Sequence, residues 1–235
     1  MRRRFFVDHF EGNTAAMVGD AAHHLGRVLR AAAGQLYDLS DGKSVWLARI
    51  ENVRRDRIEF RLIEPIPGSE STLRTTLLLA IIRFDSFEWA LEKATELGVR
   101  TIVPLAAARS EKALLSAAEK RAERWRRILL EASEQSRRVS VPQLKSLEKP
   151  ASAFAQSVGF KIILSERAGA QPLKSVLPGA GPEAVVAIGP EGGWTEEEFA
   201  AAEAGGFRQA SLGHFILRTE TAVISALSNL NYALG

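Results

Sequence analysis

The 235-residue chain contains no cysteine. That excludes disulfides, thiolate metal sites and cysteine nucleophiles together, so any chemistry must use oxygen and nitrogen groups or a borrowed cofactor. No apolar run reaches the roughly 18 residues that span a bilayer. The opening stretch Met1-Arg2-Arg3-Arg4-Phe5-Phe6-Val7-Asp8 carries charge but no long apolar segment, so a secretory signal is not expected and cytoplasm is the expected compartment. No internal repeat or low-complexity segment is visible. The formal charge is only +3, too small by itself to mark a polycation.

What is present suits one large or two modest domains, since 46% hydrophobic residues can bury a sizeable core. The charge is also unevenly spread. Between Arg109 and Lys149 there are eleven Lys/Arg against six Asp/Glu, an excess larger than that of the whole chain. Such a face suits a phosphate backbone, and equally a solvated helix laced with ion pairs.

The most informative stretch is Ile188-Gly189-Pro190-Glu191-Gly192-Gly193-Trp194-Thr195. It follows the apolar strand candidate Ala184–Ile188 and precedes a helix whose start is marked by Thr195 and Glu198, a capping box. Glycines at 189, 192 and 193 allow positive φ and close approach of a ligand, and the helix N-terminus offers unpaired N–H donors. A second short strand, Phe207 to Ser211, leads into Leu212-Gly213-His214-Phe215-Ile216-Leu217-Arg218-Thr219-Glu220-Thr221-Ala222 and an apolar helix to Leu234. Two glycine-bearing loops at the carboxyl ends of strands are where an open α/β sheet binds its ligand. Neither loop contains the Gly-Lys-Ser/Thr of a phosphate-binding loop, and no G-x-G-x-x-G dinucleotide fingerprint occurs.

Upstream, residues 1–69 alternate short apolar runs with turns. Asp41-Gly42 marks a hairpin, and Ala21 to Arg30 has helical spacing. Adjacent His23 and His24 point in different directions on a helix and lack a further ligand, so no metal is expected. Pro65-Ile66-Pro67-Gly68-Ser69 interrupts both periodicities and marks the boundary to a second domain, 70–235. That domain opens with the buried-strand pattern Thr76–Ile82. A helix capped by Asp85 with Glu88, and ended by Gly98, comes next. Then come the strand Thr101–Leu105 and a long helix over Ala117 to Arg138, capped by Ser116. Its Trp125, Ile128, Leu129 and Ala132 face inward and its arginines outward. Phe160–Leu164 is another strand. Strands alternating with helices predict an α/β domain with a mostly parallel sheet.

Ile-Gly-Pro-Glu-Gly-Gly followed by Ile-Leu-Arg-Thr-Glu-Thr-Ala resembles the RsmE family of uridine-N3 methyltransferases for small-subunit (16S) ribosomal RNA, within the SPOUT or α/β-knot superfamily. The likeness continues through Glu92–Val99, Arg109-Ser110, Arg124-Trp125 and Glu131–Arg137. His214-Phe215 departs from it, standing where the family usually has Pro-Arg. The resemblance implies a C-terminal trefoil-knot domain, a small N-terminal PUA-like RNA-binding β-barrel, S-adenosylmethionine as cofactor, and a homodimer. Leu227, Leu230 and Tyr232 are interface candidates, with packing inside one subunit as the alternative.

The implied cofactor residues are Leu164, Gly189, Pro190, Glu191, Gly192 and Gly193 on the first side. Ser211, Leu212, Gly213, Ile216, Leu217, Arg218, Thr219, Thr221 and Ala222 lie on the second. Arg2, Arg3, Arg4, Arg27 and Arg30 are available to RNA phosphates in the barrel, and Arg109, Arg124, Arg127, Arg137 and Arg138 beyond it. The uridine N3 carries a proton, so a base is needed; Glu220 is the first choice and Glu191 its competitor. Both acids also suit a helix N-terminus for dipole reasons alone. Arg218 is expected to bind phosphate, stabilise the uridine anion, or pair with Glu191. The alternatives are a SPOUT enzyme acting on another RNA, a non-enzymatic RNA- or ribosome-binding protein, and a phosphate-binding nucleotide enzyme.

Overall fold

The computed structural model describes residues 2–68 and 71–235. It divides into two compact units, Met1–Glu70 with Ser133–Val141, and Ser71–Ala132 with Pro142–Gly235.

The first unit is built on a six-stranded sheet. In chain order its strands are β1 (Arg4–Phe6), β2 (Phe10–Glu11), β3 (Thr14–Val18), β4 (Leu36–Ser40), β5 (Val45–Val53) and β6 (Arg57–Ile66). In space they lie in the order β1-β4-β5-β6-β3-β2, antiparallel except for β1 beside β4. The hairpin between β4 and β5 forms where Asp41-Gly42 predicts it. Gly42 takes φ +84°, and the Asp41 carboxylate accepts from Lys43 N and Ser44 N at 3.0 and 2.8 Å. The core alternates along the strands, with Leu39, Ile50, Ile58 and Phe60 essentially inaccessible. The helical stretch predicted for Ala21 to Arg30 is shorter than its pattern. Helix α1 (Gly19–His23) continues as a π-helical turn, His24–Val28, and Arg30 adopts φ +53°, which no helix accommodates.

Segment Ser133–Val141 belongs to this first unit, which local sequence pattern does not reveal. The Ser40 hydroxyl donates to Val139 O at 2.6 Å, and the Arg4 guanidinium donates to Arg137 O.

The second unit is a seven-stranded parallel sheet with helices. Its elements are β7 (Arg74–Ala80), α2 (Phe84–Glu96), β8 (Thr101–Leu105), α3 (Lys112–Gln135), β9 (Gln143–Leu144), α4 (Pro150–Gln156), β10 (Phe160–Leu164), β11 (Gln171–Pro172), α5 (Leu173–Val176), β12 (Glu183–Ile188), α6 (Glu196–Ala204), β13 (Arg208–Ser211) and α7 (Thr219–Leu234). The strand order is β11-β13-β10-β12-β7-β8-β9, every pairing parallel. Leu78, Ala80, Val185 and Ala187 share a cluster with Phe154 of α4 and Phe199 of α6. Leu77, Leu79, Val186 and Ile188 are equally buried, so both faces of the central strands are covered and the continuous apolar runs are explained.

Two helix starts differ from expectation. Arg83, with no side-chain cap bond, precedes α2, so Asp85 lies inside its first turn and bonds Ser86 N. Glu88 is drawn away from any capping role: Arg124 Nε donates to both its oxygens at 2.8 and 2.9 Å. Helix α3 begins at Lys112, and Ser116 is interior, its hydroxyl donating to Lys112 O at 2.9 Å. It ends at Gln135, just before Arg137 turns to φ +57°. Leu227 and Leu230 of α7 are 1% and 0% exposed, so they pack inside the chain; Tyr232 is 93% exposed.

Candidate cofactor site

Strand β12 ends at Ile188 and the chain turns sharply: Gly193 N donates to Pro190 O at 2.8 Å, with Gly193 at φ +69°. The turn delivers the chain to Thr195, whose side chain accepts from Glu198 N at 3.2 Å while Glu198 accepts from Thr195 N at 2.8 Å. The predicted capping box is therefore formed. Gly189 has no room for a side chain, since a Cβ there would sit 3.0 Å from the Trp194 ring. That ring is held by a 3.2 Å bond from its Nε1 to Leu164 O.

The second loop runs from Ser211 to α7, where the Thr219 hydroxyl donates to Gly189 O at 3.0 Å and ties the two loops together. Both loops line one cavity of about 1230 Å³. Its wall includes Leu164, Gly189 to Trp194, and Ser211 to Thr219, together with Ala222. Gly189, Gly192, Gly193 and Gly213 leave main chain open on the wall, and Leu212, Ile216 and Leu217 add apolar surface. This donor set suits a compact ligand gripped through main chain.

The helical phase of α7 decides which of its first residues matter. Thr219 and Ala222, three apart, face the cavity, while Glu220 and Thr221 do not line it. Glu220 is half-buried in the first turn and Thr221 is exposed. The carboxylate expected first as base thus lies off the cavity wall, because a helix directs adjacent positions to other faces. Glu191 does line the cavity and is exposed. Arg218 lines it too, and makes no ion pair with Glu191 or any other described acid.

Arg109, expected on an RNA face, stands against the first glycine loop and donates to Gly192 O at 2.7 Å. The other arginines divide. Arg3, Arg27 and Arg30 are exposed. Arg2 pairs with Asp38 at 3.1 Å, and Arg127 with Glu131 at 2.8 Å. Arg137 donates to Arg2 O at 2.6 Å and Arg138 to Ser140 O at 3.1 Å, so neither stands out on an open helix face. Arg4 is buried at 6% exposure, 3.8 Å from Asp38. Burial lowers its pKa, with Asp38 opposing and Arg137 reinforcing the shift. Arg4 is a core group of its unit rather than a phosphate ligand.

The cavity has a third wall that the two glycine loops do not supply. Ser165 to Ala168 and Pro172 to Lys174 line the same cavity. Ser165 N bonds Ala210 O at 2.9 Å, and the Arg167 guanidinium pairs with Glu196 and lies 3.8 Å over the Phe199 ring. The available signal was Ser165-Glu166-Arg167-Ala168-Gly169, a third loop following a strand of the same parallel sheet. Among the described residues no group of three or more His, Cys, Asp and Glu side chains gathers as a metal site, and no helix is long and apolar enough to cross a membrane.

The fold and this cavity define a parallel α/β protein that takes a compact ligand at its glycine loops. Residues 69–231 match the family described as RNA methyltransferase domain, and residues 19–63 match the RNA methyltransferase PUA domain. More particularly, the chain belongs to the ribosomal RNA small subunit methyltransferase E family. The member from Synechocystis is 34% identical, with 94% of this chain and 74% of that protein covered. The member from Bacillus subtilis is 30% identical, with 94% and 91% covered. The crystal structure of the Neisseria gonorrhoeae member bound to S-adenosyl methionine superposes with a TM-score of 0.92 at 31% identity, covering 100% of this chain and 99% of that one.

Proposed function

We propose that this chain transfers a methyl group from S-adenosylmethionine to N3 of a uridine in small-subunit ribosomal RNA. The observation that carries the reading is the convergence of two glycine loops on one cavity, tied by Thr219 to Gly189. The names of its relatives support the RNA class.

S-adenosylmethionine supplies an electrophilic methyl group on a sulfonium sulfur. Backbone groups of Gly189 to Gly193 and of Ser211 to Arg218 would hold it, and Leu212, Ile216 and Leu217 would enclose its adenine. Methyl displacement is in line, so the main work of the site is alignment. The acceptor proton needs a base, and we assign that role to Glu191, which lies on the cavity wall. Arg218, exposed on the same wall, would stabilise the uridine anion or hold a flanking phosphate. N3 is on the Watson–Crick edge, so the target base must be unpaired or extruded.

The exposed Arg3, Arg27 and Arg30 supply phosphate-contacting charge in the N-terminal unit. Phe215 and Ile216 are 87% and 78% exposed beside the cavity, and Tyr232 is 93% exposed. Apolar surface of that kind favours a homodimer. Ribosomal RNA as substrate fits a cytoplasmic setting. Calorimetry with S-adenosylmethionine, ATP and NAD, followed by methyl transfer to small-subunit RNA and nucleoside analysis, tests the reading. Binding of S-adenosylmethionine alone and formation of N3-methyluridine are expected. Preference for ATP or NAD would overturn the cofactor assignment, and a different methylated nucleoside would overturn the acceptor.

A further inference from the structure

Glu198 is 8% exposed, and its two carboxylate oxygens are committed in different directions. Oε2 accepts from Thr195 N at 2.8 Å and completes the capping box. Oε1 accepts from Ala108 N at 2.8 Å, ninety residues away in sequence, a bond that capping does not require. The turn that carries Ala108 is pinned twice more: Ser110 N donates to Ala107 O at 3.0 Å, and the Ser110 hydroxyl donates to Ile81 O at 2.6 Å. From the middle of that turn Arg109 reaches across to Gly192 O. Its aliphatic stem also lies close, at 3.2 Å from where a Gly192 Cβ would stand.

These contacts close a ring through Gly192, Thr195, Glu198, Ala108, Arg109 and back to Gly192. Only an acceptor-only group satisfies both N–H donors at once. A glutamine amide would turn its NH₂ toward one of them and leave a buried donor unpaired. We infer that Glu198 is a positioning residue for the cofactor site. It holds the Ala107–Ser110 turn so that the Arg109 guanidinium stays on the Gly192 carbonyl and fixes the first glycine loop. The inference rests on the S-adenosylmethionine reading of the cavity, and it adds a residue that lies outside the cavity wall.

The test compares Glu198→Gln, Arg109→Ala, the double variant and Thr195→Ala in the full chain. Calorimetry reads S-adenosylmethionine affinity, and hydrogen exchange reads segments 106–110 and 189–195. Glu198→Gln should weaken binding about tenfold, the equivalent of one charge-assisted hydrogen bond, and should speed exchange in both segments. It should add nothing further in the Arg109→Ala background. Thr195→Ala removes the hydroxyl half of the cap but leaves the Ala108 bond, so it should lower the melting temperature while affinity stays within about twofold. Wild-type affinity in Glu198→Gln, effects that multiply in the double variant, or an equal loss in Thr195→Ala would each overturn the inference. If Glu198→Gln does not fold, Arg109→Ala alone decides, because unchanged exchange at 189–195 in that variant contradicts the ring. If the wild-type chain fails to bind S-adenosylmethionine, the cofactor reading falls, while the exchange data still judge whether Glu198 holds the turn.

Discussion

The Thr219 hydroxyl donates to the Gly189 carbonyl at 3.0 Å, joining the end of β12 to the first residue of α7. Thr219 is buried, and removing the hydroxyl leaves the carbonyl short of a partner. Thr219→Val keeps the shape of the side chain and deletes only this bond. It should destabilise the joined loops by about 1 kcal/mol and weaken S-adenosylmethionine about fivefold. Equilibrium binding on the folded variant checks this. An affinity equal to wild type would mean that the loops keep their arrangement without the tie.

Gly193 is required for a different reason than crowding. A Cβ there would meet only Arg109 Nη1, at 3.9 Å, whereas φ is +69°. Backbone strain, of about 1 kcal/mol or more, is therefore the expected penalty, greatest for a β-branched side chain. Asparagine tolerates this conformation better than alanine although it is larger. Melting temperatures should fall in the order Gly193→Asn, Gly193→Ala, Gly193→Val. Alanine outperforming asparagine would show that the missing volume, not the backbone, is what the site needs.

The two loop carboxylates give opposite expectations. Glu191 is on the cavity wall, so Glu191→Gln should lower kcat about 10²-fold or more, the usual contribution of a general base. Its cofactor affinity should change little. Glu220 is off the wall, and Glu220→Gln should keep turnover within about threefold of wild type. Single-turnover methylation at saturating RNA decides the matter, and a reversed ranking would restore Glu220 as the base.

Arg4 and Asp38 lie side by side in the first unit, both with side chains 7% exposed. Arg4→Ala would leave the Asp38 carboxylate dependent on Arg2 and would free the Arg137 carbonyl. Loss of one partner from a buried pair costs about 3 kcal/mol, so the urea midpoint of the first unit should drop clearly. An unchanged midpoint would show that the Arg4–Asp38 pair contributes little to the stability of the first unit.

Features that depend on near neighbours were legible in the sequence. The Thr195–Glu198 box, the Asp41-Gly42 hairpin and the two strand-to-helix loops all rest on short-range hydrogen bonding and glycine geometry, which a few adjacent residues specify. Helix ends were less legible, because a distant partner can outbid a local cap. Glu88 has the spacing of a capping residue but bonds Arg124, thirty-six positions away. Tertiary structure alone decided that Arg4 is buried, that Ser133–Val141 joins the first unit, and that Arg109 anchors a glycine loop rather than standing free. It also decided the fate of Glu220. The spacing of residues along α7 is a property of the sequence, but the rotation of that helix about its axis is set by packing Val223, Ala226, Leu227 and Leu230 into the core. That packing turns Thr219 and Ala222 toward the cavity and Glu220 away from it.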